Sequence, residues 1–412
     1  MSYRFVKVTS FYRDYLNYYY AKPDNNLNLS YAEQYKKLMG DCFAWADFYQ
    51  QNLQKIGIEA FEIVYNAEPL QQAWAKEHDM NLKNKELLVE QLKTLAPEIV
   101  LFQDSNLFNG KWIDYIKSEI PSIKKVIGSC CNPFTAHQIQ LYKNFDFMIT
   151  CSPFFDEQFK NSGLKSYHVM HAFEKDILNR INLSSPKNKI DFMFIGSLIP
   201  SNDFHDNRIQ IIEELLRRGI DLKVYSKLNK ENNLELIAKK IMYYQTKILM
   251  NTGFHNIVEN NLTLKKFSIL NSVPKNPHIS GILRDRVRPP VFGLEMYQAI
   301  ADSNICLNIH GGVAGDYAAN IRLFEITGAG SCMVTDWKKN LNDIFKIDSE
   351  VVAFKTAGEC IEKVKWLLNN PKERQNISMA GQRRVLKDHT FGNRAIQLDA
   401  IIRKELNSLK NN

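Results

Sequence analysis

Short apolar runs alternate along this chain with longer segments in which apolar side chains recur every three to four residues. In the first half, residues 5–8, 60–64, 99–102, 125–127 and 147–150 read as buried strands. Between them, residues 31–56, 68–94 and 112–119 carry helical patterns. In the first of these, Leu38, Cys42, Trp45 and Tyr49 fall close to one face. A turn at 161–163 precedes a last short strand expected at 166–170. Strands separated by helices cannot pair as tight hairpins, so the pattern predicts a parallel sheet with helices on both faces.

Residues 179–189, NRINLSSPKNK, break the rhythm with polar, proline-bearing linker composition. The alternation then restarts, with strands expected at 191–195, 222–225, 305–308, 332–335 and 351–354. Helices are expected at 207–218, 292–301, 321–327 and 357–369. Residues 228–288 fit poorly. They are rich in Asn and Lys, with one helical pattern at 234–250 and a loop around 272–281, and read as an insertion. The fold class is therefore α/β. Two doubly wound, Rossmann-like domains, 1–180 and 181–385, face each other across a cleft, and residues 386–412 form a terminal helix returning to the N-terminal domain.

The length of 412 residues exceeds one ordinary core, which agrees with two domains. A hydrophobic fraction of 45% and a charged fraction of 24% exclude a disordered chain. No apolar run reaches the roughly 20 residues needed to cross a bilayer, and MSYRFVKVTS lacks a signal-peptide core, so a cytoplasmic protein is expected. Seven cysteines occur without a C-x-x-C pair, several in strand-like runs, and read as reduced core residues rather than metal ligands. The net charge is +8, and residues 371–412 hold nine Lys/Arg against four Asp/Glu. That basic segment suits a solvated helix face or peripheral contact with an anionic membrane; no basic run or aromatic motif supports nucleic acid.

Several chemistries lack their motifs. There is no G-x-x-x-x-G-K-[ST] loop, no G-x-S-x-G elbow, and no G-x-G-x-x-G after the first strand. No Asp-x-Asp pair occurs, which disfavours a nucleotide clamped through a divalent metal. Residues 307–336, LNIHGGVAGDYAANIRLFEITGAGSCMVTD, instead read as strand, glycine-rich loop, helix start and second strand. Free backbone N–H groups and a helix N-terminus suit an anionic ligand there, and Glu325 inside the helix could accept from a pair of hydroxyls. Gly196 and Ser197 follow a strand and precede Arg208; they suit a diphosphate or an ordinary turn with a surface arginine equally well.

The second half resembles the CgeB-like branch of the GT-B glycosyltransferases, related to the large retaining family often numbered four. The residues that carry the resemblance are FMFIGSL with Arg208, PPVFGLEMYQAIADSNICLNIHG, NIRLFEITGAGSCMVTDWKKNLNDIF and HTFGNRA, with NAEPLQQAW, PEIVLFQD, DFMITCSPFF and YHVMHAFEKD in the first half. The resemblance implies a hexosyltransferase-like enzyme moving a sugar from a nucleotide-sugar donor to a saccharide, lipid-linked or protein acceptor. It further implies a retaining, metal-independent reaction in cell-surface glycan synthesis, with no cofactor. Glu325 would match the second glutamate of a Glu-x7-Glu motif and hold the donor ribose. The amides of Tyr317, Ala318, Ala319, Asn320 and Ile321 would meet the diphosphate or donor sugar, flanked by Gly196, Ser197 and Arg208. The first glutamate is replaced by Tyr317, with Asp316 beside it.

His310, at a strand's carboxyl end, His171 and His137 are further catalytic candidates, each also readable as a loop histidine, and Asp316 could substitute for the missing glutamate only if the loop register shifts. Arg322 in the first helical turn opposes the helix dipole and calls for an anionic partner. A non-hydrolysing nucleotide-sugar epimerase and a non-catalytic nucleotide-sugar or glycan-binding protein share this architecture and remain open.

Overall fold

Nearly continuous runs of Val, Ile, Leu and Phe, such as Ile99–Phe102, are buried on both faces, the signature of strands that pair in parallel beneath two layers of helices. The computed structural model describes residues 2–25, 28–183, 190–198, 206–228, 233–270, 272–274 and 279–408. The first sheet contains β1 (Arg4–Thr9), β2 (Glu59–Val64), β3 (Ile99–Phe102), β4 (Lys125–Ser129), β5 (Phe147–Thr150) and β6 (Ser166–His168), in the order β2-β1-β3-β4-β5-β6. The second contains β7 (Ile190–Ile195), β8 (Lys223–Tyr225), β9 (Val287–Arg288), β10 (Ser303–Asn308), β11 (Cys332–Asp336) and β12 (Val352–Phe354), in the order β12-β11-β10-β7-β8-β9. Every pair of neighbouring strands is parallel. The strand order reverses between β1 and β3 and again between β7 and β10. Crevices open at such reversals, outside the carboxyl ends of the strands.

The expected elements are corrected in several places. Residues 31–56 form two helices, Tyr31–Gly40 and Phe48–Lys55. Between them Cys42, Ala44 and Ala46 adopt positive φ (58°, 54° and 36°), which no continuing helix allows. The apolar spacing ran on across the break because the irregular link is buried too. Residues 68–94 also split, into Glu68–Glu77 and Asn84–Leu95. The helix Arg13–Tyr20 was not expected, since RDYLNYYY is aromatic enough to resemble a strand. β9, two residues long, left no readable pattern. The insertion holds the helices Asn233–Asn251, His255–Asn260 and Leu262–Ser268, packed on one another. The expected linker falls partly, at 184–189, outside the described residues, as do 199–205 after Ser197.

One apolar core runs through both sheets. Tyr15 and Phe43 stack at 3.7 Å, and Phe292 of the second domain meets both edges at 5.9 and 5.8 Å. Gly293 has φ +54°, and a Cβ there would lie 2.1 Å from Asp41 Oδ2, so the two domains touch here through a bare backbone. Elsewhere along the boundary, the Phe173 amide donates to His389 O at 3.0 Å and the Phe391 amide donates to Phe173 O at 3.1 Å. A Cβ on Gly328 would stand 2.3 Å from the Phe173 ring. The helix Phe391–Asn407 then packs on Phe48–Lys55 of the first domain. Three arginines of the basic C-terminal segment are committed within the protein. Arg394 Nε donates to Met170 O at 3.0 Å, Arg403 pairs with Asp399 at 2.8 Å and Arg384 with Asp388 at 2.7 Å.

Beneath the first sheet's helices Lys7 and Glu62, register partners on β1 and β2, form a fully buried ion pair at 2.6 Å. Burial pushes the ammonium down and the carboxyl up, and each partner's charge opposes the other's shift. Removing one partner strands a charge, whereas removing both does not. Lys7→Met is therefore expected to cost about 3–5 kcal/mol, and Lys7→Met with Glu62→Met to recover most of it. Urea unfolding of the two variants checks this; equal losses would refute it.

Candidate active site

A cavity of about 560 Å³ lies between the domains. Its walls come from the segments that follow strand carboxyl ends: Ser10 and Tyr12 after β1, Asp104 and Asn106 after β3, Cys131 after β4, Cys151 after β5 and His171 after β6. From the second domain come Arg208 after β7 and His310, Tyr317, Ala319, Asn320 and Ile321 after β10. Parallel strands all end at the same edge of their sheet, so residues far apart in sequence converge there.

His310 is buried, and its ring is held from behind. Its backbone amide and Nδ1 both lie on Asp336 Oδ1, at 2.8 and 2.7 Å, because β10 and β11 are neighbours. Burial alone would raise the Asp336 carboxyl, yet contact with His310, and then Lys338 at 3.7 Å, hold it below the usual range. With Nδ1–H donated to a carboxylate, Nε2 is left as an acceptor, and it has no hydrogen-bond partner among the described residues. Sequence reasoning named His310 but missed Asp336, although an acid ending the adjacent strand was a readable signal.

Arg208, also buried, is gripped by main-chain carbonyls. Its Nε and Nη2 donate to Ile309 O at 3.2 and 2.8 Å, and Nη1 donates to Ser197 O at 2.7 Å. Among the described residues no carboxylate pairs with it. Burial lowers its pKa to about 10, against the pull of Asp336, so it remains a cation at neutral pH. Ser197 thus acts through its carbonyl. The Gly196 amide donates to Tyr225 O at 3.2 Å, and a Cβ at Gly196 would meet the Phe194 ring at 2.9 Å. Neither Gly196 nor Ser197 is among the residues lining the cavity.

The loop before Glu325 is divided. The Tyr317 amide donates to Ala314 O and the Ala318 amide to Asn340 Oδ1, so two of the five expected donors are already engaged. Ala319, Asn320 and Ile321 line the cavity, and no acceptor is described for their amides. The helix is short, Arg322–Gly328. Glu325 turns inward, with 3% of its surface exposed: Oε1 accepts from the Tyr297 hydroxyl at 3.1 Å, and Oε2 lies 2.7 Å from Arg322 Nη1. The anion that Arg322 required is therefore Glu325 itself, and the carboxylate stands behind the cavity wall instead of in it.

Two further candidates lie elsewhere. Asp316 is at the surface, paired with Lys339 at 2.8 Å, which holds its carboxyl below the usual range. Its position on the outside of the loop takes it away from the reacting space. His137 sits under the insertion, 3.5 Å from Glu259 and stacked on His255 at 5.5 Å, and does not line the cavity.

His171 does line it. Cys131, Cys151 and His171 bring two sulfurs and a ring nitrogen within 4.8 Å of one another, a trio of ligand type that spacing alone concealed. Cys131 and Cys151 each stand two residues past the register partners Ser129 and Ile149. The Cys151 thiol pulls the Cys131 pKa down against burial, aided by the Cys151 amide, which donates to Cys131 Sγ at 3.0 Å. Trp45 Nε1–H donates to His171 Nδ1 at 3.0 Å, so the neutral ring carries its proton on Nε2. Binding a metal through Nε2 would require the ring to lose that proton and the Trp45 contact.

Burial, reinforced by the Arg394 charge, lowers both His171 and His389 from 6.5 to about 4. In the unfolded chain they bind protons near pH 6.5, so the unfolded state holds more protons between 6.5 and 4. Their contribution to stability is complete above pH 6.5 and is lost as pH falls toward 4, at about 1.4 kcal/mol per pH unit for each proton. His389→Gln is expected to remove about one proton from that slope. Urea unfolding between pH 7 and 4.5 measures it.

Residues 261–400 match the Glycosyl transferase-like family, and no curated protein matches the sequence. Among solved structures, a glycosyltransferase from Rickettsia africae ESF-5 superposes with a TM-score of 0.55 at 10% identity, over 98% of this chain and 99% of that one. Anabaena HepE in complex with UDP and glucose gives 0.55 at 9%, over 98% and 100%. Sucrose-phosphate synthase from Thermosynechococcus elongatus gives 0.52 at 9%, again over 98% and 100%. The fold is thereby that of the GT-B enzymes along the whole chain, and the match to the Glycosyl transferase-like family falls within its C-terminal part, over residues 261–400.

Proposed function

We propose that the enzyme takes its glycosyl group from a nucleoside diphosphate sugar bound against the second domain, and passes it to a hydroxyl entering along the first. The observation that carries this reading is Arg208, a buried cation held by two carbonyls, beside the amides of residues 319–321. A diphosphate would supply the missing anion. Anabaena HepE, solved with UDP and with UDP-glucose, lends analogy to it.

Arg208 and the loop amides would stabilise charge building on the leaving diphosphate, which in a same-face, retaining displacement accepts the acceptor's proton. His310 Nε2, aimed by Asp336, would accept from a hydroxyl of the transferred sugar and fix its ring in place. Asp104 is the single carboxylate lining the cavity among the described residues, a poor set for a hard divalent cation, so Arg208 takes the charge-balancing role. A saccharide, lipid-linked or protein hydroxyl would approach past Tyr12 and Asp104, in keeping with cell-surface glycan synthesis.

Calorimetric titration with UDP and GDP tests the donor, and failure of both to bind would end the proposal. Arg208→Gln is expected to weaken binding by roughly 10- to 100-fold. His310→Ala should leave nucleotide affinity near wild type while lowering kcat by roughly 100-fold. Conversion of the donor with no acceptor present would favour an epimerase.

A further inference from the structure

The insertion carries an apolar stripe that nothing among the described residues covers. On the helix Asn233–Asn251, Leu234, Ile237, Ile241, Tyr244 and Ile248 recur at intervals of three and four residues, and all five side chains are exposed. Phe254 and Ile257 continue the exposure beyond the helix. Seven of the sixteen large apolar side chains exposed among the described residues fall in this segment, so the exposure is concentrated. The opposite face of the helix, Leu236, Tyr243 and Thr246, is buried, so the helix is already seated and the stripe points outward.

Charge decides what covers it. Residues 233–268 contain five lysines (239, 240, 247, 265, 266) and two glutamates (235, 259), a local charge of +3 (5 − 2). Lys240 stands one turn before Tyr244 and is exposed, so its stem can lie along the apolar surface and present its head beside it; Lys247 and Lys265 turn inward, onto Ser268 O at 3.0 Å and Glu259 at 3.1 Å. A second copy of the chain would bring the same cationic face against itself. An anionic bilayer neutralises the lysines and takes up the stripe together. The stripe is also fixed to the cavity rim: Lys265 Nζ donates to Asn106 O at 2.7 Å, and Asn106 lines the cavity.

We propose that residues 234–257 form a dock for the surface of an anionic lipid bilayer, holding the cavity mouth at the membrane. The proposal does not depend on the identity of the donor. It is tested with the full chain and vesicles of phosphatidylcholine with and without phosphatidylglycerol, by co-sedimentation. Binding should be at least roughly tenfold tighter with phosphatidylglycerol and weaken with added salt. Ile241→Asp with Ile248→Asp should abolish it, and Lys240→Glu should reduce it several-fold, with Tm and nucleotide binding unchanged. All three positions are exposed, so these variants keep their fold. Binding unaffected by the double variant, equal binding to neutral vesicles, or no binding at all would overturn it. So would a dimer, seen by sedimentation in the absence of lipid, that the same substitutions dissolve.

Discussion

Everything in this protein depends on keeping two carboxyl edges opposed. A parallel sheet offers its ligand-facing loops along one edge only, and each sheet alone supplies half of a site. The opposition is secured by packing that ignores the domain boundary. The Tyr15, Phe43 and Phe292 rings join the domains on one side, and the Phe173–Phe391 crossing joins them on the other. The terminal helix then closes the arrangement by returning to the domain in which the chain began.

Within the cavity Arg208 and His310 are aimed by backbone and a neighbouring strand. Arg208 is positioned by carbonyls, which orient a guanidinium without cancelling its charge. His310 is positioned by Asp336, one strand away, which fixes the ring tautomer and leaves the far nitrogen unengaged. Both arrangements keep capacity in reserve for a ligand. Glu325 is the opposite case, since its two oxygens already face Tyr297 and Arg322.

The strands were the most legible elements because burial on both faces leaves long apolar runs; β3, β5 and the helix Ala357–Asn369 match their expected bounds. Helix breaks were hidden wherever the break itself was buried, as at Cys42, Ala44 and Ala46. At the site, His310 and Arg208 were readable as residues following strands. Asp336, the acid ending the strand beside that of His310, was readable too, whereas the Ile309 carbonyl that holds Arg208 was not, because spacing does not encode main-chain contacts. The convergence of Cys131, Cys151 and His171 arises only once β4, β5 and β6 lie side by side. At Glu325 the helical position shows where the side chain begins, while its partners Tyr297 and Arg322 determine which way it turns.

The bare contact between Gly293 and Asp41 has a kinematic meaning. There the two domains meet without a side chain to yield, and they meet a second time where Phe173 passes between Gly328 and Phe391. Two fixed points define a line, and a displacement that kept both would have to turn about it. Such a turn would break a further bond between the domains, from Lys265 Nζ to Asn106 O at 2.7 Å on the cavity rim. The opposed edges are thus held at these three places, the last of them beside the cavity itself.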